Sequence, residues 1–410
     1  MTIDNFFIIE IKVDGMSIFG SEKLFSFSLK ESIYKIYTSG MLSIKDLTAL
    51  IQESFLLVEG SIIEVEYGLV NKVTNKCKYV VTKELLDKVT HIGNLVGELE
   101  LELEHEWLVK QTIRSAAYRN RIDLIVQSLV SQYAFANNDI DINSTGNEDT
   151  HYQPLLNDAD FISKKLVPIA FSNNSENTPF YAFTTSDNVF HFRNAQSMMN
   201  NNPVAEYTYK KESFENTQSI DIEKMVLTLK RWKEGIGYYL KDSYYTVYKQ
   251  SRKTGELIEE QRSIFSAGTN NENEGVPLVF GGTTKQAYLD QNYEQVVNDV
   301  PLVGLQETQK GHNNFLRRGS AFVDRFMCIV PFNPKLHAGS TIKLNIYVRK
   351  PNGESLSVAY SGKYLIEELE QVWNGDERKG YSIMKIGRKY TTIDKNLSTK
   401  SASFISKPSV

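Results

Sequence analysis

Six histidines, His91, His105, His151, His191, His312 and His337, are scattered along 410 residues, and no two have the spacing of a ligand pair. Only two cysteines occur, Cys77 and Cys328, far apart. A zinc site needs such ligands a few residues apart on one element, so no metal is expected. No Gly-x-Ser-x-Gly elbow exists to lift a serine nucleophile, and neither cysteine lies in a recognisable nucleophile setting. The run Gly281-Gly282-Thr283-Thr284-Lys285 has the composition of a phosphate loop. It lacks the Gly-Lys-Ser/Thr order that gathers amides, amine and hydroxyl around a phosphate, and it reads as a turn. The expectation is a protein with no catalytic residues, no cofactor and no metal.

Two charged patterns remain. Glu98, Glu100, Glu102 and Glu104 alternate with Leu99, Leu101 and Leu103. Like charges along one strand face repel, so that face must meet water, a channel or a cationic partner. Lys230-Arg231-Trp232-Lys233, followed by Tyr238 and Tyr239, mixes bases and aromatics as nucleic-acid surfaces do. A strand whose long cations reach to its rim explains the same pattern.

The elements that would carry these residues follow from periodicity. Residues 1–112 read almost wholly as strand: Ile63, Val65 and Tyr67 alternate with Glu64 and Glu66, and breakers such as Asp14-Gly15 punctuate the runs. From 118 to 133, Ile122, Ile125, Val126, Leu129 and Val130 recur at three and four, which predicts an amphipathic helix. Residues 137–149 read as a loop. A short helix starts at Asn157 or Asp158 and runs to the break at Pro168. Tyr181-Ala182-Phe183 and Phe190-His191-Phe192, with Asp187-Asn188 between them, predict a hairpin. Strand character returns over 225–250 and from Ala321 onward, where Ile342, Leu344, Ile346 and Val348 share one face. The Asn- and Gly-rich stretch 266–285 reads as an exposed loop, 287–297 as a helix, and the Ser- and Lys-rich end as frayed.

Composition sets further bounds. A net charge of −4 argues against a dedicated nucleic-acid binder, and 11% aromatics favour half-buried pleated surfaces. With two cysteines there is no disulfide framework. The first residues carry no basic region ahead of a long apolar run, and no stretch approaches about 18 uninterrupted apolar residues. The expectation is a protein made in a cytoplasm, without membrane insertion.

Four stretches resemble the phage tail-hub superfamily, which holds the T-even baseplate hub, the late-control gene D proteins and the VgrG N-terminal region. Residues 29–47 (LKESIYKIYTSGMLSIKDL) and 57–68 (LVEGSIIEVEYG) are similar to its opening strands. Residues 118–135 (YRNRIDLIVQSLVSQYAF) look like its first helix. Residues 157–171 (NDADFISKKLVPIAF) and 180–194 (FYAFTTSDNVFHFRN) look like its D-x-D-F-I helix and aromatic hairpin. Residues 331–348, 361–373 and 381–390 resemble its closing strands. They occur in the family's order.

The resemblance implies a β-rich α+β fold: two tail-tube-like β-barrels with α/β side domains, assembling as a pseudo-six-fold homotrimer. The first barrel would be 1–112 and the side domain 113–202. The second barrel would be 203–238 and 306–395, with an inserted side domain at 239–305 and a flexible tail at 396–410. It further implies a structural hub at a virion tail tip, assembled in the host cytoplasm, joining a hexameric tail tube to a trimeric spike. No Gly-rich or Val-x-rich repeat follows residue 395, so the spike is expected to be a separate protein. Tape measure protein and other baseplate components are further partners that the family allows. DNA would pass without specific binding during genome ejection, and Glu100, Glu102 and Glu104 would line the channel, where carboxylates repel phosphate. A contractile injection system is a second setting for the same hub. Rival readings are a tail-tip protein that degrades cell wall and one that binds glycan. The latter needs exposed aromatics, whereas most aromatics here alternate into cores.

Overall fold

Alternating apolar and polar residues make the first third of the chain extended, because every second side chain of a strand points to the same face. The computed structural model of the protein describes residues 6–17, 25–46, 59–69, 73–85, 97–133, 139–146, 148–172, 178–210, 224–231, 244–250, 257–263, 297–298, 322, 324–350, 353–357, 360–374 and 379–388. The loop expected at 266–285, the helix at 287–297 (apart from residue 297), most of 239–305 and the tail at 396–410 lie outside the described residues.

Strands β1 (Phe6–Val13), β2 (Met16–Ser17), β3 (Phe25–Ser32), β4 (Ser39–Asp46), β5 (Ile62–Leu69), β6 (Val73–Leu85) and β7 (Gly97–His105) pair antiparallel in the order β3-β4-β7-β6-β5-β1-β2. Asp14 and Gly15, both at positive φ, make the tight turn from β1 to β2. Phe27, Leu42, Val65, Tyr67, Tyr79, Leu101 and Leu103 come from five of these strands and meet in one buried cluster.

The middle of the chain is mixed. Helix α1 (Glu106–Val109) leads to β8 (Ile113–Asn120), α2 (Ile122–Val130), β9 (Ile140–Ile142) and β10 (Asp149–Asn157). The helix expected from 118 begins only at Ile122, because β8 holds residues 113–120 in an antiparallel ladder with β10. Part of the expected loop at 137–149 is β9, which pairs parallel with β12 (Phe190–Asn194). Helix α3 (Asp158–Phe161) is capped by Asn157, whose side chain accepts from the Asp160 N–H at 2.7 Å. It continues as a π-turn and a 3₁₀ turn through Ile169, with Pro168 in the last. The expected hairpin is β11 (Phe180–Thr184) against β12, turning at Asn188 with φ 64°. Helix α4 (Ala195–Asn200) follows. Among the described residues no helix is long and apolar enough to cross a membrane.

The last block contains β13 (Ala205–Lys210), β14 (Thr228–Arg231), β15 (Tyr244–Gln250), β16 (Leu257–Ser263), β17 (Val297–Asn298), β18 (Asp324–Pro331), β19 (Thr341–Lys350), β20 (Gly353–Leu356), β21 (Gly362–Asn374) and β22 (Lys379–Arg388). Strands β15, β16 and β17 make a sheet of their own. The pairings run β14-β18-β22-β21-β19-β13, and an isolated bridge joins Thr208 of β13 to Met225, just ahead of β14. The interior of this block is Tyr207, Cys328, Leu344, Tyr364, Met384 and Ile386, with the face predicted from Ile342, Leu344 and Ile346 turned inward.

One strand belongs to both blocks. The first half of β21 pairs with β19, its second half pairs with β3, and β22 runs along both. The two β blocks are therefore one continuous hydrogen-bonded sheet.

Candidate functional site

Two features of this sheet concentrate charge: the seam where its blocks meet, and the outward face that crosses the seam. At the seam, β3 carries Phe27 and Leu29 inward, and the next residue of that parity is Glu31, which is buried. A lone buried carboxylate is costly, so it must be matched. Its Oε1 accepts from the Ser186 N–H at 2.8 Å and its Oε2 from the Ala338 N–H at 2.7 Å. His337 Nδ1 lies 3.1 Å from Oε1, and His337 Nε2 lies 3.7 Å from the Asp187 carboxylate. Burial would push the His337 pKa down, but the charge of Glu31, its hydrogen bond and the charge of Asp187 outweigh that and raise it to about 9.

The seam is thus filled by the tip of the β11–β12 hairpin, a segment that in most proteins would face water. Thr184, Thr185 and Ser186 are all buried. Thr184 Oγ1 donates to Ile36 O at 2.7 Å, and Tyr67 OH donates to Ser186 Oγ at 2.8 Å. His105 Nδ1 accepts from the Trp107 N–H, which leaves Nε2 protonated to donate to Asn188 Oδ1 at 3.0 Å. Burial pushes the His105 pKa down to about 4, so this ring is neutral near pH 7. Gly339 lies so close that a Cβ there would meet Phe183 Cζ at 2.5 Å. The tip is held by the first block, by the 333–340 loop of the last block and by its own turn.

A second buried group lies beside it. In β21 the register slips between Ile366 and Glu368, and this bulge turns Glu367 inward. Its carboxylate accepts from Arg325 Nε at 2.8 Å and from the Tyr34 hydroxyl. Gly387 opposite leaves the room it needs, since a Cβ there would strike Glu367 Oε1.

The outward face carries Glu100, Glu102 and Glu104. They are half-buried, while Leu101 and Leu103 on the other face are buried in the core. The side chains of Glu98 and Leu99 lie outside the described residues. On β4 the three carboxylates stand opposite Ser43, Met41 and Ser39, none of them cationic. On β6, Lys83 stands opposite Glu102 in register, and its side chain lies outside the described residues. Directly paired residues continue from Glu104 across the sheet as Ser39, Lys30, Glu370, Ile383, Ile329 and Thr228. At roughly 4.8 Å per strand, this row spans about 29 Å. The carboxylates nearer its middle are neutralised from adjacent strands: Glu370 by Lys30 at 3.4 Å and Glu368 by Lys385 at 2.8 Å.

Of the residues singled out in the sequence, the structure brings the three glutamates together on one face. Lys230 and Arg231 end β14, and Trp232 and Lys233 lie outside the described residues. Among the described residues no group of His, Cys, Asp and Glu could hold a metal ion. Sequence reasoning missed Glu31, His337, Glu367 and Arg325. The available signal was a carboxylate at an apolar position: Glu31 after Phe27 and Leu29, and Glu367 after Leu365 and Ile366.

Solved structures share this fold over nearly the whole chain. The tail protein from Neisseria meningitidis MC58 superimposes with a TM-score of 0.54 at 9% identity, covering 94% of this chain and 96% of that one. The chain has the fold of a tail protein. The 43 kDa tail protein of prophage MuSo2 from Shewanella oneidensis gives a TM-score of 0.53 at 9% identity, covering 93% and 98%. What the chain shares with these tail proteins is the fold, which is β-rich, largely antiparallel and poor in helix, as expected from the four ordered stretches. No protein-family profile and no curated protein matches the sequence.

Proposed function

We propose that the chain is the structural hub of a tail tip, a homotrimer that joins a tail tube to a separate spike around a channel. The single observation that carries this reading is the continuous sheet. One row of paired residues, from Glu104 to Thr228, crosses both β blocks without a break. In this reading the blocks are two tube-like barrels sharing β21, flanked by side domains at 113–202 and 239–305. A trimer then presents six similar walls to a hexameric tube and three-fold symmetry to a spike.

The sheet face with Glu100, Glu102 and Glu104 is the channel wall. A lysine or arginine there would add an attractive phosphate contact and slow a passing nucleic acid. The role is mechanical, with no catalysis and no bound metal. Light scattering on the full chain, alone and mixed with its tube or spike partner, tests the assembly. A trimer is expected, and a monomer that persists well above micromolar concentration with partners present contradicts it. A cleared band on a cell-wall gel, or stoichiometric zinc by elemental analysis, contradicts the mechanical role.

A further inference from the structure

The three most exposed large apolar side chains among the described residues lie on one two-stranded ribbon, β8 with β10. Ile113 is 69% exposed, Tyr152 71% and Leu155 77%. The register places Tyr152 opposite Ala117, with Ser115 and Ile113 on the same parity of β8. The small side chains of Ser115 and Ala117 leave a shallow groove beside Tyr152, and Pro154 and Lys165 also line it. A bulge between Gln153 and Leu156 takes Pro154 and Leu155 out of the ladder, so both are exposed.

The ribbon's other face is fixed. Asp158, fully buried, accepts from Arg114, from Tyr133 OH at 2.5 Å and from Gln153 Nε2 at 2.9 Å. Tyr118 stacks on Phe161 with centroids 5.7 Å apart, and its hydroxyl donates to Gln153 Oε1 at 2.9 Å. A surface held this firmly loses little freedom when something binds it. An exposed apolar cluster on a rigid support marks an interaction site.

We propose that the outer face of the β8–β10 ribbon docks an extended segment of a different protein, apolar residues flanked by carboxylates. The charge follows from the rim: Lys165 lines the groove, Arg119 follows Ser115 and Ala117 on the same outward parity of β8, both are exposed, and no carboxylate stands among the groove-lining residues. The chain as a whole is acidic, so this cationic rim is a local exception. A second copy is a poor occupant. Two copies meeting through this same face would bring Arg119 and Lys165 of each against like charges, and among the described residues the other exposed large apolar side chains, such as Met16 and Leu356, lie on separate elements. This inference is independent of the trimer and of the channel.

The test uses the full chain and two fluorescent twelve-residue peptides, one repeating Ile-Glu-Thr-Glu and the other Ile-Lys-Thr-Lys. Fluorescence anisotropy is expected to show binding of the glutamate peptide at least tenfold tighter than the lysine peptide. Tyr152→Ser with Leu155→Ser should weaken it at least tenfold, and Arg119→Glu with Lys165→Glu should reverse the preference. All four side chains are exposed, so melting curves should match wild type and show that the variants fold. Equal binding of both peptides, no binding of either, or affinities within twofold in the variants would each overturn the proposal. Saturation by unlabelled chain would instead assign the groove to a second copy and also overturn it.

Discussion

The imidazole Nδ1 of His337 lies 3.1 Å from the carboxylate of Glu31, although 306 residues separate them. That contact joins the two β blocks, and Asp187 on the hairpin tip lies on the imidazole's other side. Three distant segments of chain are therefore tied through one ring.

Because the folded pKa of His337 is raised from 6.5 to about 9, its contribution has a definite sign. The stabilisation is fully present below about pH 6.5 and is lost as pH rises through about 9. The difference corresponds to roughly 3 kcal/mol as an order of magnitude. Melting temperature should fall between pH 6.5 and 10 in the wild type, and His337→Gln should melt lower at pH 6.5 with a flatter dependence over that range. An unchanged slope in the variant would remove His337 as the cause.

His105 acts at the other end of the scale. Its pKa is depressed to about 4 by burial, so it must be neutral in the fold. Its contribution is present above about pH 6.5 and is lost as pH falls toward 4. His105→Gln should be less stable at pH 7 but lose less on acidification, as urea unfolding at pH 7 and pH 5 would show.

Arg325 of β18 and Glu367, at the bulge of the shared strand β21, are both buried. Removing one partner leaves a buried charge, so Arg325→Met should cost about 3–5 kcal/mol in urea unfolding. Arg325→Met combined with Glu367→Leu should recover much of that loss. A double variant as unstable as the single one would mean that the pair is not the dominant interaction.

The two faces of β7 should respond in opposite ways. Leu103→Ala opens the first core and should cost about 2–5 kcal/mol. Glu100→Lys, Glu102→Lys and Glu104→Lys together should shift stability by less than about 1 kcal/mol, since each side chain is on the outward face. The same triple variant should slow delivery of DNA.

The strands were legible in the sequence because one of their faces is buried, which forces period two on runs such as Ile63-Glu64-Val65-Glu66-Tyr67. The hairpin was legible from its aromatics and Asp187-Asn188. The start of α2 was not, since Tyr118 and Arg119 fit a helical pattern equally well and only pairing with Thr150 and His151 makes them strand. The seam was hidden for a different reason. Glu31 is marked only as a carboxylate at an apolar position and His337 not at all, and their meaning comes from a contact of very long sequence separation. That β21 serves both blocks was equally invisible, because nothing in its thirteen residues marks where β19 gives way to β3 as the partner.

The most direct test of the hub assignment is a reconstruction of the assembled particle by electron cryomicroscopy. It should show three copies around one axis, with the carboxylates of Glu100, Glu102 and Glu104 nearer that axis than Leu101 and Leu103. The row through Ser39, Lys30, Glu370 and Ile383 should face the same channel. Three-fold symmetry with this row turned outward would remove the channel wall, and a particle without three copies of the chain would contradict the hub itself.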